Sequence, residues 1–227
     1  MSGEQMHDGP SGQCGSDGCG AEAGWKAALR TGVVSQFGRP RGMLGRLAGA
    51  IMARRSSNVE RSLWTISLLD PRPGDRVLEI GFGPGVALAE ACRRVGDGIV
   101  VGIDHSQTML RQAARRNRRA VGEGRLRLVL GSVETLDPGE GPFDKIFAVN
   151  SIAFWPQPEA TLRMLRERLR PGGTIAITEQ PRSRGADEAA TRAAGRRIAR
   201  QLEAAGFERP RAEMLALKVP AVCVLGH

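Results

Sequence analysis

The sequence predicts an α/β fold: a mostly parallel sheet with helices on both faces and a hairpin at its end. Two patterns point there. From residue 75 onward, strand-like apolar runs alternate with amphipathic helical segments, the mark of βαβ units and of a sheet covered on both sides. The C-terminal stretch breaks that alternation, because Arg211–Leu217 and Ala221–Leu225 are β-rich runs joined across Val219 and Pro220. So short a link allows an antiparallel pair but no parallel crossover.

Residues 1–24 carry seven glycines and almost no large apolar side chain, so they are expected to be a disordered tail. Residues 25–70 are expected to be helical and to form a lid segment. Leu44, Leu47 and Ile51 share one face, and Val59, Leu63, Ile66 and Leu69 continue at helical spacing. Pro71, Pro73 and Gly74 end that segment. The remainder, 71–227, is one domain. Its expected strands are Arg76–Ile80, Ile99–Asp104, Leu126–Leu130, Lys145–Asn150 and Thr174–Thr178. Its expected helices are Val86–Val95, Ser106–Ala120, Pro158–Leu169 and Glu188–Ala205, each with one apolar stripe.

Composition narrows the function. Among 227 residues the hydrophobic fraction is 41%, enough for one sizeable core. No apolar run is long enough for a transmembrane helix, and the N-terminus lacks the basic start and apolar stretch of a secretory signal, so a cytoplasmic protein is expected. The net charge is +9, but only Lys26, Lys145 and Lys218 are lysines and the arginines are spread along the chain. That pattern suits a solvated basic surface better than a nucleic-acid interface, and aromatic residues for stacking are only 4%. Cys14 and Cys19 have no second Cys or His pair to complete a zinc site, so no metal is expected.

The most informative segment is Val77-Leu78-Glu79-Ile80-Gly81-Phe82-Gly83-Pro84-Gly85, an apolar strand that runs into a glycine turn and then a helix. Such a turn lets a ligand approach the backbone where a Cβ would collide, and the helix start offers unpaired N–H groups. The spacing is G-x-G-x-G, with Val86 where dinucleotide folds place their third glycine, which disfavours a nicotinamide dinucleotide. The next strand, Ile99–Asp104, ends in an acid that can accept both hydroxyls of a ribose. The competing role for Asp104 is to cap the helix beginning near Ser106. Leu169-Arg170-Pro171-Gly172-Gly173 is expected to stop a helix and turn the chain into the sheet.

With VLEIGFGPG, GIDHSQTML, FDKIFAVNS and LRPGG in this order, the chain resembles the class I S-adenosylmethionine-dependent methyltransferases over about residues 72–227. The resemblance implies a Rossmann-like seven-stranded sheet whose last strand is antiparallel. It implies S-adenosylmethionine as cofactor, with Glu79, Gly81, Phe82, Gly83 and Gly85 around its methionine end. Asp104 would hold the ribose, His105 and Met109 would flank ribose and adenine, and the turn Gly131-Ser132-Val133-Glu134 would meet the adenine. Many members carry Asp at the position of Ser132. Asn150 and Ser151 would face the transferred methyl group. The expected reaction is methyl transfer to a small-molecule acceptor by in-line displacement, without specific nucleic-acid or membrane partners. The alternatives are a nucleic-acid methyltransferase and a non-catalytic nucleotide-binding protein. No catalytic residue is assigned, since alignment and water exclusion can supply the rate. Phe154 and Trp155 belong either to the core or to the acceptor wall, and Arg182 and Arg184 are among the arginines able to attract an anionic acceptor.

Overall fold

The computed structural model describes residues 56–227. The expected tail 1–24 with Cys14 and Cys19, and the expected lid segment up to residue 55, lie outside the described residues. Helix α1 (Ser56–Leu69) leads into β1 (Arg76–Ile80), α2 (Val86–Val95) and β2 (Ile99–Asp104). Then come α3 (Gln107–Arg116), α4 (Arg118–Gly122), β3 (Leu126–Leu130), β4 (Phe143–Val149), α5 (Pro158–Glu167) and β5 (Leu169–Glu179). Helix α6 (Glu188–Ala204) and the hairpin β6 (Arg211–Leu215) and β7 (Ala221–Gly226) complete the chain.

The seven strands form one sheet in the order β3-β2-β1-β4-β5-β7-β6. All neighbours are parallel except β7, which runs antiparallel to both β5 and β6. The expected sheet, with its reversed last strand, is therefore what the chain forms. Strand residues alternate between two cores. Leu78, Ile80, Val101 and Ile103 pack with Leu162, Leu165, Ile198 and Leu202 of α5 and α6 on one face. Val77 and Val100 pack with Ile66, Leu69, Leu88 and Met109 of α1, α2 and α3 on the other. The strand order reverses between β1 and β4, so the crevice for a ligand opens at their carboxyl ends.

Three details differ from the sequence expectation. The expected helix Ser106–Ala120 breaks at Asn117, whose amide donates to the carbonyls of Gly85 and Ala113 at 3.0 and 2.9 Å. The Leu169–Gly173 segment does not precede the strand. It belongs to β5, with Leu169 opposite Phe143, Thr174 opposite Lys145 and an irregularity between. In α1 the inward face is rotated: Leu63 is 42% exposed, whereas Arg61, Ser62 and Thr65 are buried beside Ile66 and Leu69. The polar members of that face meet polar groups of the sheet, as in the 2.7 Å hydrogen bond between the Thr65 and Thr178 hydroxyls. With Ile66 and Leu69 in the core, packing runs without a break from α1 into the domain that follows residue 70.

Candidate active site

Two adjoining cavities open at the carboxyl ends of β1, β2 and β4, and share Gly81, Asp104, His105, Ser151 and Phe154. The first is also lined by Glu79, Phe82, Gly83, Met109 and Asn150, the second by Ser132, Val133 and Glu134. Of the residues expected to hold a ligand, Gly85 alone lines neither. It is buried behind the loop, where an added Cβ would lie 2.7 Å from Asn117 Nδ2 and 2.8 Å from Ala113 Cβ. Gly81, by contrast, meets the wall of the cleft: at φ +77 its Cβ would fall 2.5 Å from Ser151 Cβ. Ser151 is fixed there by its hydroxyl, which donates to the Ile80 carbonyl at 2.7 Å. A Cβ on Gly83 would meet nothing within 4 Å, so the loop presents open backbone to the cavity at that point. Phe82 belongs to the core and also borders the first cavity.

Asp104 is buried and organises the loop. Its Oδ2 accepts the Gly83 N–H and its Oδ1 the Ser106 N–H, both at 2.8 Å. The cap of α3 is Ser106, not Asp104. Burial raises the pKa of Asp104 against the pull of those two N–H groups. Glu79 lies deeper. Burial first, and then the neighbouring Asp104, hold its carboxyl well above the usual range. Glu79 Oε2 is buried without a hydrogen-bond partner.

Asn150 adopts φ +54, a left-handed conformation at the end of β4. Its Oδ1 accepts the Gln180 backbone N–H at 2.7 Å, while its Nδ2 is buried without a partner. In the second cavity, Ser132 caps the short 3-10 turn Val133–Thr135. The Ser132 hydroxyl also donates to Glu134, which lowers that carboxyl's pKa, and Thr161 donates to Glu134 Oε1 at 3.4 Å. Glu134 thus brings an ionised carboxylate to the place where Ser132 has only a hydroxyl. Phe154 is 50% exposed at the junction of the two cavities, and Trp155 is partly buried against the core.

Sequence reasoning missed Asn58 and Arg61 of α1, both lining the first cavity, and Thr161 in the second. The available signal was a polar stripe, Asn58, Arg61, Ser62 and Thr65, at helical spacing. Neither described thiol, Cys92 or Cys223, lines the two cavities. Burial pushes Cys92 up to about 11 and Cys223 up to about 12, which leaves both unreactive. Among the described residues no group of three or more His, Cys, Asp or Glu could hold a metal ion. Among them, too, no helix is long and apolar enough to cross a membrane.

Residues 77–173 match a family model described as a methyltransferase domain. An uncharacterised methyltransferase of Bacillus subtilis, YdaC, is 38% identical over 162 residues, which is 71% of this chain and 86% of that protein. The nocamycin O-methyltransferase of Saccharothrix syringae is 39% identical over 117 residues, 50% of this chain but only 40% of that protein. Among solved structures, a SAM-dependent methyltransferase of Aquifex aeolicus aligns with a TM-score of 0.63 at 19% identity, covering 78% of this chain and 97% of the other.

Proposed function

As a member of the class I S-adenosylmethionine-dependent methyltransferase family, this chain is an enzyme that uses S-adenosylmethionine, and we propose that its acceptor is a small molecule bound beyond the glycine loop. The cofactor supplies an electrophilic methyl group on a positively charged sulfur. The residues present suit it. Glu79 Oε2, buried and unpartnered, suits a ligand ammonium group, and the open backbone at Gly83 leaves space for the chain that carries it. Asp104 has lone pairs left for ribose hydroxyls after its two backbone bonds. Val133 and Glu134 border the place for a purine ring, with Glu134 able to accept from an exocyclic amine. His105 and Met109 close the sides.

The observation that carries the small-molecule reading is the reach of the first cavity. It continues past the glycine loop to Asn58, Arg61 and Arg182, so side chains wall a recess on the side away from the Ser132 turn. The work of the chain there is to align the acceptor and exclude water. Asn150 and Ser151 stand between the two ends of the cleft, and we assign no side chain as a base. The similarity to nocamycin O-methyltransferase supports the same reading. The basic surface lends little weight to a nucleic-acid acceptor, because Arg93, Arg119 and Arg125 are already paired with Glu90 and Glu123. We assign α1, through Asn58 and Arg61, as part of the wall of the recess.

The test is transfer of labelled methyl groups from the cofactor by the full chain to a cell extract, followed by separation into metabolites, RNA and protein. Label in the metabolite fraction is expected. Label confined to RNA or protein would overturn the small-molecule acceptor, and cofactor binding without transfer to any fraction would favour a non-catalytic role.

A further inference from the structure

We propose that a groove behind the glycine loop, between α2 and the break after α3, is a second binding site, for a small ligand that carries two or more phosphate groups. It shares no lining residue with the two cavities of the cleft, so it stands whichever acceptor the cleft takes. Residues 107–125 hold six arginines and a single acid, Glu123. The fold sets four of those arginines, with Arg93 of α2, around one open cavity of about 600 Å³. Arg116 ends α3, Arg118 and Arg119 belong to α4, and Arg125 precedes β3. Buried Cys92, Asn117 and Ala120 form part of the floor, and no carboxylate lines the cavity. Like charges gathered in this way repel one another, and an anion relieves the repulsion.

The charge balance selects the kind of anion. Arg93 is paired with Glu90, which also serves Arg94, and Arg119 and Arg125 share Glu123. Arg116 and Arg118 pair with no acid among the described residues. Two carboxylates thus answer five guanidiniums, and a single phosphate, at about two negative charges, leaves part of the excess unmet. Two or more phosphates meet it, and guanidinium N–H groups match phosphate oxygens in pairs. The site is braced before any ligand arrives. Arg116 Nε donates to the Pro84 carbonyl at 3.0 Å, which holds the side chain and leaves both Nη groups uncommitted. Arg125 Nη1 donates to the Cys92 and Gly96 carbonyls at the end of α2, which fixes its charge at the wall. The lining has no aromatic side chain for a base to stack on, so the affinity belongs to the phosphates. Arginines from α2, α3, α4 and the approach to β3 converge on one concavity of ligand size, which suits a compact anion better than a nucleic-acid backbone.

Free polyphosphate and a nucleotide both supply this chemistry, and the experiment separates them. The full chain is saturated with S-adenosylhomocysteine, so that the cleft is filled, and titrated by calorimetry with tripolyphosphate and with ATP at physiological ionic strength without divalent cations. Both should bind saturably, with dissociation constants below about 1 mM and within about fivefold of each other. Arg118→Gln breaks no hydrogen bond or ion pair among the described residues, and should weaken both ligands by at least about fivefold as charge-assisted contacts are lost. Arg192→Gln removes an exposed arginine of α6 outside the groove, and should change neither affinity by more than about twofold. No saturable binding below that concentration, or a smaller loss in Arg118→Gln, overturns the proposal. So does an equal loss in Arg192→Gln, because the binding is then diffuse attraction to the basic surface. ATP bound tighter than tripolyphosphate by more than that factor also overturns it, because the base is then recognised and the groove has nothing to hold one. A short single-stranded RNA that binds more tightly than tripolyphosphate and loses that affinity in Arg118→Gln overturns it in favour of a nucleic-acid occupant.

Discussion

The two ends of the cleft are built differently. The glycine-loop end is made by consecutive residues at the tips of β1 and β2, and its loop is fixed by Asp104 accepting from Gly83 and Ser106. The recess end is assembled from side chains distant in sequence: Asn58 and Arg61 from α1 and Gln180 and Arg182 after β5, with Asn150 and Ser151 after β4 between the two ends. The first end tolerates almost no change in shape. The second can change its side chains while the sheet stays as it is, which is how one cofactor scaffold can serve different acceptors.

Breaking the first end should have the largest effect. Gly81→Ala forces a Cβ onto Ser151 at a positive φ, and should cost about 2–4 kcal/mol of stability, read by denaturant unfolding, together with most cofactor binding. Asp104→Ala should weaken S-adenosylhomocysteine binding by roughly 1.5–3 kcal/mol in calorimetry, since charge-assisted bonds are lost. Loss of stability with unchanged affinity would mean that Asp104 serves only the loop.

Glu79 links this end to pH. Its folded-state pKa is raised, so the native chain holds a proton that the unfolded chain releases from the ordinary carboxyl range upward. The stability it contributes is fully present below that range and is lost as pH rises toward the folded-state value. Glu79→Gln should therefore flatten the fall in melting temperature over that window. A ligand ammonium group should expel the proton, so S-adenosylhomocysteine affinity should drop as pH is lowered, and Glu79→Gln should weaken binding about tenfold at neutral pH. Phe154→Ala, at the junction of the two ends, should have the smallest effect. It should change stability by no more than about 0.5 kcal/mol, because the ring is half exposed.

The difference between the ends also explains what could be read in advance. Strand β1, the glycine loop and the acid at the end of β2 were legible because local rules dictate them: an apolar strand, a turn that needs positive φ, a carboxylate at a strand tip. Arg61 was not. Hydrophobic periodicity placed Leu63 inward, but α1 turns Arg61, Ser62 and Thr65 inward to meet Gln180 and Thr178 of the sheet. A polar buried face carries no apolar signal, and its partners are far along the chain. The break at Asn117 was hidden for the same reason, since the bond that draws it out of the helix reaches back to Gly85.

The division of the cleft is tested most directly by a crystal structure of the full chain with S-adenosylhomocysteine. The adenosine should lie between Asp104 and the Ser132–Glu134 turn, the amino group should reach Glu79, and the recess at Arg61 and Arg182 should be left clear of cofactor. A cofactor carboxylate paired with Arg61, or a ribose that makes no contact with Asp104, would contradict that division.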